Sequence, residues 1–137
     1  GTRQNLSFQR MHVKGKDKFS IMINEWRHLK DFYDQAESQG RALPIAVVIG
    51  ADPVIYVGAG LRYDGDETEI AGAIRKSPIE VVKCITSDIY VPATAEFVIE
   101  GEILPDYREK EGPLGEFRGH YSPQERGHLP DHKRRLL

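Results

Sequence analysis

Two carboxylates, Glu111 and Glu116, flank a Gly-Pro-x-Gly turn in the segment EGPLGE. Such a turn can aim both side chains into one cavity. Paired carboxylates push each other's pKa apart, which lets one serve as an acid near neutral pH. The competing reading is a solvated loop with ordinary surface glutamates. Arg10 falls between Phe8 and His12 in a partly alternating stretch, and alternate residues of a strand share a face. Its planar fork suits a carboxylate; the alternative is an edge-strand charge that deters aggregation. Asn5, His28 and Glu67 supply an amide, an imidazole and a carboxylate. Such a set suits Mg2+ or Mn2+ bridging to a phosphate. Nothing in the local sequence links the three, and His28 alone reads as a helix-surface residue. No HxxxH or CxxC spacing occurs, so a zinc centre is not expected. Gly58-Ala59-Gly60 and Gly50-Ala51-Asp52 hint at close backbone approach to a ligand, but such short glycine clusters more often mark turns.

The elements that would carry these residues are legible in outline. Residues 6–13 and 18–23 partly alternate apolar and polar positions around KGKD, where Gly15 is free to take positive φ. This pattern predicts a β-hairpin. Asn24 can cap a helix whose apolar positions are Trp26, Leu29, Tyr33 and Ala36, with Gly40 as its stop. Pro44 leads into IAVVIG, which suits a buried strand. Asp52-Pro53 resembles the start of a short helix. Asp64 or Asp66 starts another, with Ile70, Ala71 and Ile74 on its inner face and Pro78 ending it. Residues 79–86 and 96–103 read as strands. The last part, residues 123–137, lacks apolar periodicity and reads as a polar tail. The order lacks βαβ alternation, so the expected class is α+β, or a partly open β-barrel with inserted helices, rather than a doubly wound sheet.

The chain has 137 residues, 29% of them charged, and a formal net charge of -2. That length fits one domain able to bury a core. The charge balance offers no field for nucleic acid or an anionic membrane, so any anion must be held locally. A single cysteine, Cys84, excludes an internal disulfide and suits a reducing compartment. No apolar run reaches membrane-spanning length, and the first residues lack a signal-peptide stretch. A cytoplasmic protein is expected.

Four segments, taken together and in order, resemble the UbiD family of decarboxylases. They are PIAVVIGADP (44–53), DETEIAGAIRKSPIEVVKC (66–84), VPATAEFVIEGEI (91–103) and EGPLGEFRGHYS (111–122). The resemblance covers roughly residues 3–122, which it makes a central cofactor-binding domain. It implies a split β-barrel, similar to that of flavin reductases, with inserted helices. It also implies non-oxidative, reversible decarboxylation of an aromatic or α,β-unsaturated acid with prenylated FMN. The family's Arg–Glu–Glu network matches Arg10, Glu111 and Glu116: Arg10 to bind the substrate carboxylate, Glu111 to hold that arginine, and Glu116 to deliver the proton. Its metal trio, which anchors the cofactor phosphate through Mn2+ or Mg2+, matches Asn5, His28 and Glu67. Ser7 falls where some members have a flavin-contacting serine, and K+ is a further implied ion.

Family members are several times longer than this chain, with a domain before this region and another after it. The resemblance therefore implies an oligomer, or other subunits that supply those domains. Two alternatives stay open beside the enzyme: a non-catalytic flavin-binding subunit, and an isolated piece of a larger decarboxylase. An ordinary flavin reductase shares the expected barrel, but the Arg–Glu–Glu network has no obvious use in hydride transfer.

Overall fold

Alternation around KGKD does produce a hairpin. In the computed structural model, which describes residues 4–23, 28–61, 63, 65–108 and 134–136, β1 (Met11–Val13) pairs antiparallel with β2 (Phe19–Met22). The turn is closed by Lys14 N–H donating to Lys18 O at 2.9 Å. Gly15 does not take the expected positive φ; among the described glycines the positive values fall at Gly40 and Gly50. The first strand is also shorter than its alternation suggested. Phe8 and Arg10 precede β1, so a shared strand face with His12 does not follow.

The chain forms two compact units. One comprises Gln9–Leu43 and Ile103–Leu137. Beside the hairpin it holds α1 (His28–Ser38), which ends where Gly40 enters the left-handed region at φ 63°. Asn24 and Trp26 lie outside the described residues. Tyr33 is the fully buried residue of α1, at 1% exposure. Its hydroxyl meets Glu37 and lies 3.3 Å from Leu104 O. Glu37 also accepts from Asp106 N–H at 3.1 Å and from the Arg108 guanidinium at 2.8 Å. One half-buried carboxylate thus ties the helix to the chain seventy residues on. Ile21, Ile23 and Ile103 complete the buried apolar set of this unit. Arg134–Leu136, within the stretch that reads as a tail, form β7 and pair antiparallel with β2.

The other unit comprises Gly1–Phe8 and Pro44–Glu102. β3 (Leu43–Ile49) and β6 (Phe97–Ile103) make a two-stranded sheet, each contributing all but one terminal residue to this unit. β3 is half-buried rather than buried. Gly50 follows at φ 69°, a turn position, and a Cβ there would sit 2.7 Å from the Glu96 side chain. Asp52 caps α2 (Pro53–Gly60) as its spacing implied, accepting from Val54 N–H at 3.0 Å. Asp66 caps α3 (Glu67–Arg75) in the same way through Thr68 N–H at 2.9 Å; Asp64 is outside the described residues. α3 stops at Lys76, whose left-handed φ of 59° precedes Pro78. Its buried face is Glu67 and Ala71, while Ile74, expected inside, is 50% exposed. β4 (Val81–Lys83) pairs antiparallel with β5 (Tyr90–Pro92). β5 had no signal in the sequence reading.

The α+β class holds, and no closed barrel is seen among the described residues. Their strands make three separate sheets, β1-β2-β7, β3-β6 and β4-β5, and none closes on itself. Closure needs strands long enough to tilt and stagger around an axis; five of these seven have three or four residues. No described helix is long and apolar enough to cross a membrane.

The link between β4 and β5 is clasped by Glu100, which accepts from Ile85 N–H at 2.8 Å and Thr86 N–H at 2.7 Å. The Thr86 hydroxyl, then these amides, hold the Glu100 carboxyl below its ordinary range. A depressed folded-state pKa means the clasp is present above the unfolded pKa and is lost as pH falls through the folded one. In an NMR titration the Ile85 and Thr86 amides should therefore shift together, with a midpoint below that of an ordinary glutamate. An ordinary midpoint would show that the clasp is absent. Separately, Glu37→Ala should destabilise the fold by about 1–3 kcal/mol in urea denaturation, because it removes the acceptor shared by the Tyr33 hydroxyl, Asp106 N–H and the Arg108 guanidinium. Wild-type stability would rule out Glu37 as a tie.

Candidate functional site

Glu67 is the first residue of α3 and is 3% exposed. A buried carboxylate is costly unless it is hydrogen-bonded, paired or bound to a metal. Its Oε2 accepts from Leu6 N–H at 3.0 Å, across sixty-one residues of sequence. Among the described residues no lysine or arginine pairs with it. Its position at a helix N-terminus favours its charge. On either side of Leu6 stand two other expected site residues, and Asn5 Nδ2 donates to Ser7 Oγ at 3.3 Å. The structure thus brings Asn5, Ser7 and Glu67 into one unit, with residues 5–7 tied to the start of α3.

α2 fixes where Glu67 stands. A Cβ at Gly58 would lie 2.9 Å from Glu67 O and 3.4 Å from Ala71 Cβ. At Gly58, within the Gly58-Ala59-Gly60 cluster, the close backbone approach is to the next helix. The Asp52 carboxylate, 3.6 Å from the Arg75 guanidinium, adds a second tie between the helices. Next to Ser7, the Phe8 ring stacks on Tyr56 of α2, with centroids 5.8 Å apart and planes 17° apart. The Tyr56 hydroxyl in turn accepts from Ala51 N–H at 3.0 Å. Neither Leu6 N–H nor this stack was visible in the sequence. A backbone donor carries no residue signature, and Phe8 and Tyr56 are too far apart in the chain for spacing to join them.

The remaining expected residues belong elsewhere. Arg10 and His28 are half-buried members of the other unit: Arg10 lies one position before β1, and His28 opens α1. Glu111 and Glu116 lie outside the described residues. Among the described residues no group of three or more His, Cys, Asp or Glu side chains is placed to hold a metal. What the arrangement offers a cation is a buried carboxylate, Glu67, whose backbone donor Leu6 is flanked by the Asn5 amide, a hard oxygen-donor combination of the kind Mg2+ and Mn2+ take.

The chain belongs to the UbiD family: the model of the 3-octaprenyl-4-hydroxybenzoate carboxy-lyase Rift-related domain matches residues 1–130. It is 46% identical over 122 residues to phenolic acid decarboxylase of Bacillus subtilis (strain 168), covering 88% of this chain and 26% of that protein. It is 42% identical to the phenolic acid decarboxylase of Escherichia coli O157:H7, with the same coverage. Among solved structures it is similar to an evolved dimeric form of the UbiD-class enzyme HmfF from Pelotomaculum thermopropionicum in complex with prFMN. That match has a TM-score of 0.85 and 42% identity, over 96% of this chain and 30% of the other. The closed form of Sedimentibacter hydroxybenzoicus vanillic acid decarboxylase gives a TM-score of 0.84 and 33% identity, over 95% of this chain and 27% of that one. The chain thus spans about a quarter of the length of the curated relatives it matches.

The α2–α3 contact makes a direct prediction. Gly58→Ala should cost about 1–3 kcal/mol of stability, since the added methyl meets backbone rather than a yielding side chain. Urea denaturation measures it, and an unchanged midpoint would mean that the helices do not meet closely at Gly58.

Proposed function

We propose that this chain carries site residues of a carboxy-lyase that removes CO2 from a phenolic or related aromatic acid, with prenylated FMN and a divalent cation. The observation that carries the reading is the buried Glu67 carboxylate, clasped by Leu6 N–H with no cationic side chain pairing with it among the described residues. A divalent ion would answer that charge. The names of the relatives, phenolic acid decarboxylase, support the substrate class, and the prFMN and FMN in the HmfF structures support the flavin.

Glu67 and Asn5 would hold the cation, with His28 as the third ligand by resemblance, and Ser7 would face the flavin. When bound, the modified flavin supplies an electron sink for the pair released as the carbon–carboxylate bond breaks. The chain's own residues handle recognition and the proton. Arg10 binds the substrate carboxylate by two parallel hydrogen bonds. Glu111 balances and orients that guanidinium. Glu116, protonated, gives its proton to the carbon that CO2 has left, so that acid becomes arene and CO2 with no net redox change. Oligomerisation, or association with other subunits, would supply the remainder of the pocket. A second reading is that this chain holds flavin without turning substrate over; the prFMN and FMN in the HmfF structures support the flavin part of it.

The chain supplied with prenylated FMN and Mn2+ should release CO2 from 4-hydroxybenzoate, and Glu116→Gln should keep the flavin absorbance while losing about 10²–10⁴-fold in rate. Undiminished turnover by Glu116→Gln would remove that residue from the mechanism. Bound flavin without CO2 release from the unmodified chain would favour the second reading, and absence of bound flavin would end both.

A further inference from the structure

The Phe8–Tyr56 stack is unusual in being half open. Phe8 is 57% exposed and Tyr56 37%, so the pair is not part of a core. One face of the Phe8 ring meets the Tyr56 ring in an offset stack. Its edge lies over Gly60, where a Cβ would be 3.8 Å from Phe8 Cε2. Tyr56 and Gly60 are four residues apart and so share a face of α2; Phe8 rests on that face. Leu6, two residues earlier, is bound to Glu67, and the Tyr56 hydroxyl is bound to Ala51 N–H.

α2 itself has the composition of a covered helix. PVIYVGAG contains no charged residue, yet Tyr56 and Val57 are exposed. A surface helix ordinarily turns charged side chains to water. An exposed aromatic surface of this kind suits a ligand with a planar ring.

We propose that Phe8, backed by Tyr56, is a specificity-determining platform on which a planar conjugated ring stacks, continuing the Phe8–Tyr56 pair. The proposal rests on the functional reading above for the identity of the ligand. Two sources fit one chemistry: the isoalloxazine of the flavin and the aryl ring of the acid.

The test uses the full chain with Mn2+ and two separate titrations, FMN and 4-hydroxybenzoate, with acrylate as a ringless control. Phe8→Leu should weaken one of the two aromatic ligands by about threefold to tenfold, the scale of a single aromatic contact. The ligand affected identifies the source. Phe8→Tyr, which keeps the ring, should restore affinity, and acrylate binding should not respond. A merely structural role would move the ringless control as well, or would show as a lowered thermal midpoint without rescue by tyrosine. The proposal is overturned if Phe8→Leu folds normally and binds both aromatic ligands like the unmodified chain. It is also overturned if the substitution reduces only self-association in sedimentation, which would make the surface a protein contact. In either case, retained FMN binding would leave the decarboxylase reading standing. Failure of the unmodified chain to bind FMN would remove both.

Discussion

A carboxylate with 3% exposure at the first turn of a helix is the constraint on which the candidate site depends. Glu67 has to be answered by donors, and Leu6 N–H provides one from the far end of the sequence. That single bond draws residues 5–7 onto α3. It therefore places an amide, a hydroxyl and a carboxylate in one unit without any sequence motif joining them. The bond is charge-assisted, the stronger class of hydrogen bond, and burial strengthens it further. The same burial makes an incompletely answered charge costly, so the carboxylate is suited to receive a cation.

The helices around Glu67 add local ties to that long-range bond. Asp66 caps the helix that starts with it, and Gly58 lets α2 approach its carbonyl. Asp52 caps α2 and also faces Arg75 at the end of α3. The other unit uses the same device in a different place. There a half-buried Glu37 gathers a tyrosine hydroxyl, a backbone amide and a guanidinium. Small sheets leave few ladder bonds, so single carboxylates with several donors do much of the tying. Sites held to fractions of an ångström are built on such locked side chains.

The local chemistry of caps and stops was the most legible part of the fold. Asp52, Asp66 and Gly40 act where their spacing implied, because capping is decided within a few residues. Pairing was less legible. β5 and β7 are three residues each, too short for alternation to register, and β7 depends on a partner over a hundred residues away. Ile74 shares the face of Glu67 and Ala71 by helical period, but burial along that face ends before the last turn and leaves Ile74 half exposed. The barrel came from family likeness, and the described strands do not close one. In the site, composition alone left Asn5, His28 and Glu67 unlinked and the two glutamates of EGPLGE ordinary. Family likeness supplied their proposed roles. What no reading of residue types could supply was the Leu6 amide, since a backbone donor is the same at every position.

The central claim is that Glu67 is a cation ligand. Anomalous diffraction at the manganese edge, from crystals of the chain grown with Mn2+ and FMN, tests it most directly. The account predicts a manganese peak on the Glu67 carboxylate, with the FMN phosphate on the same ion. Flavin bound in the crystal while Glu67 keeps only its bond to Leu6 N–H, with manganese elsewhere or absent, would contradict it.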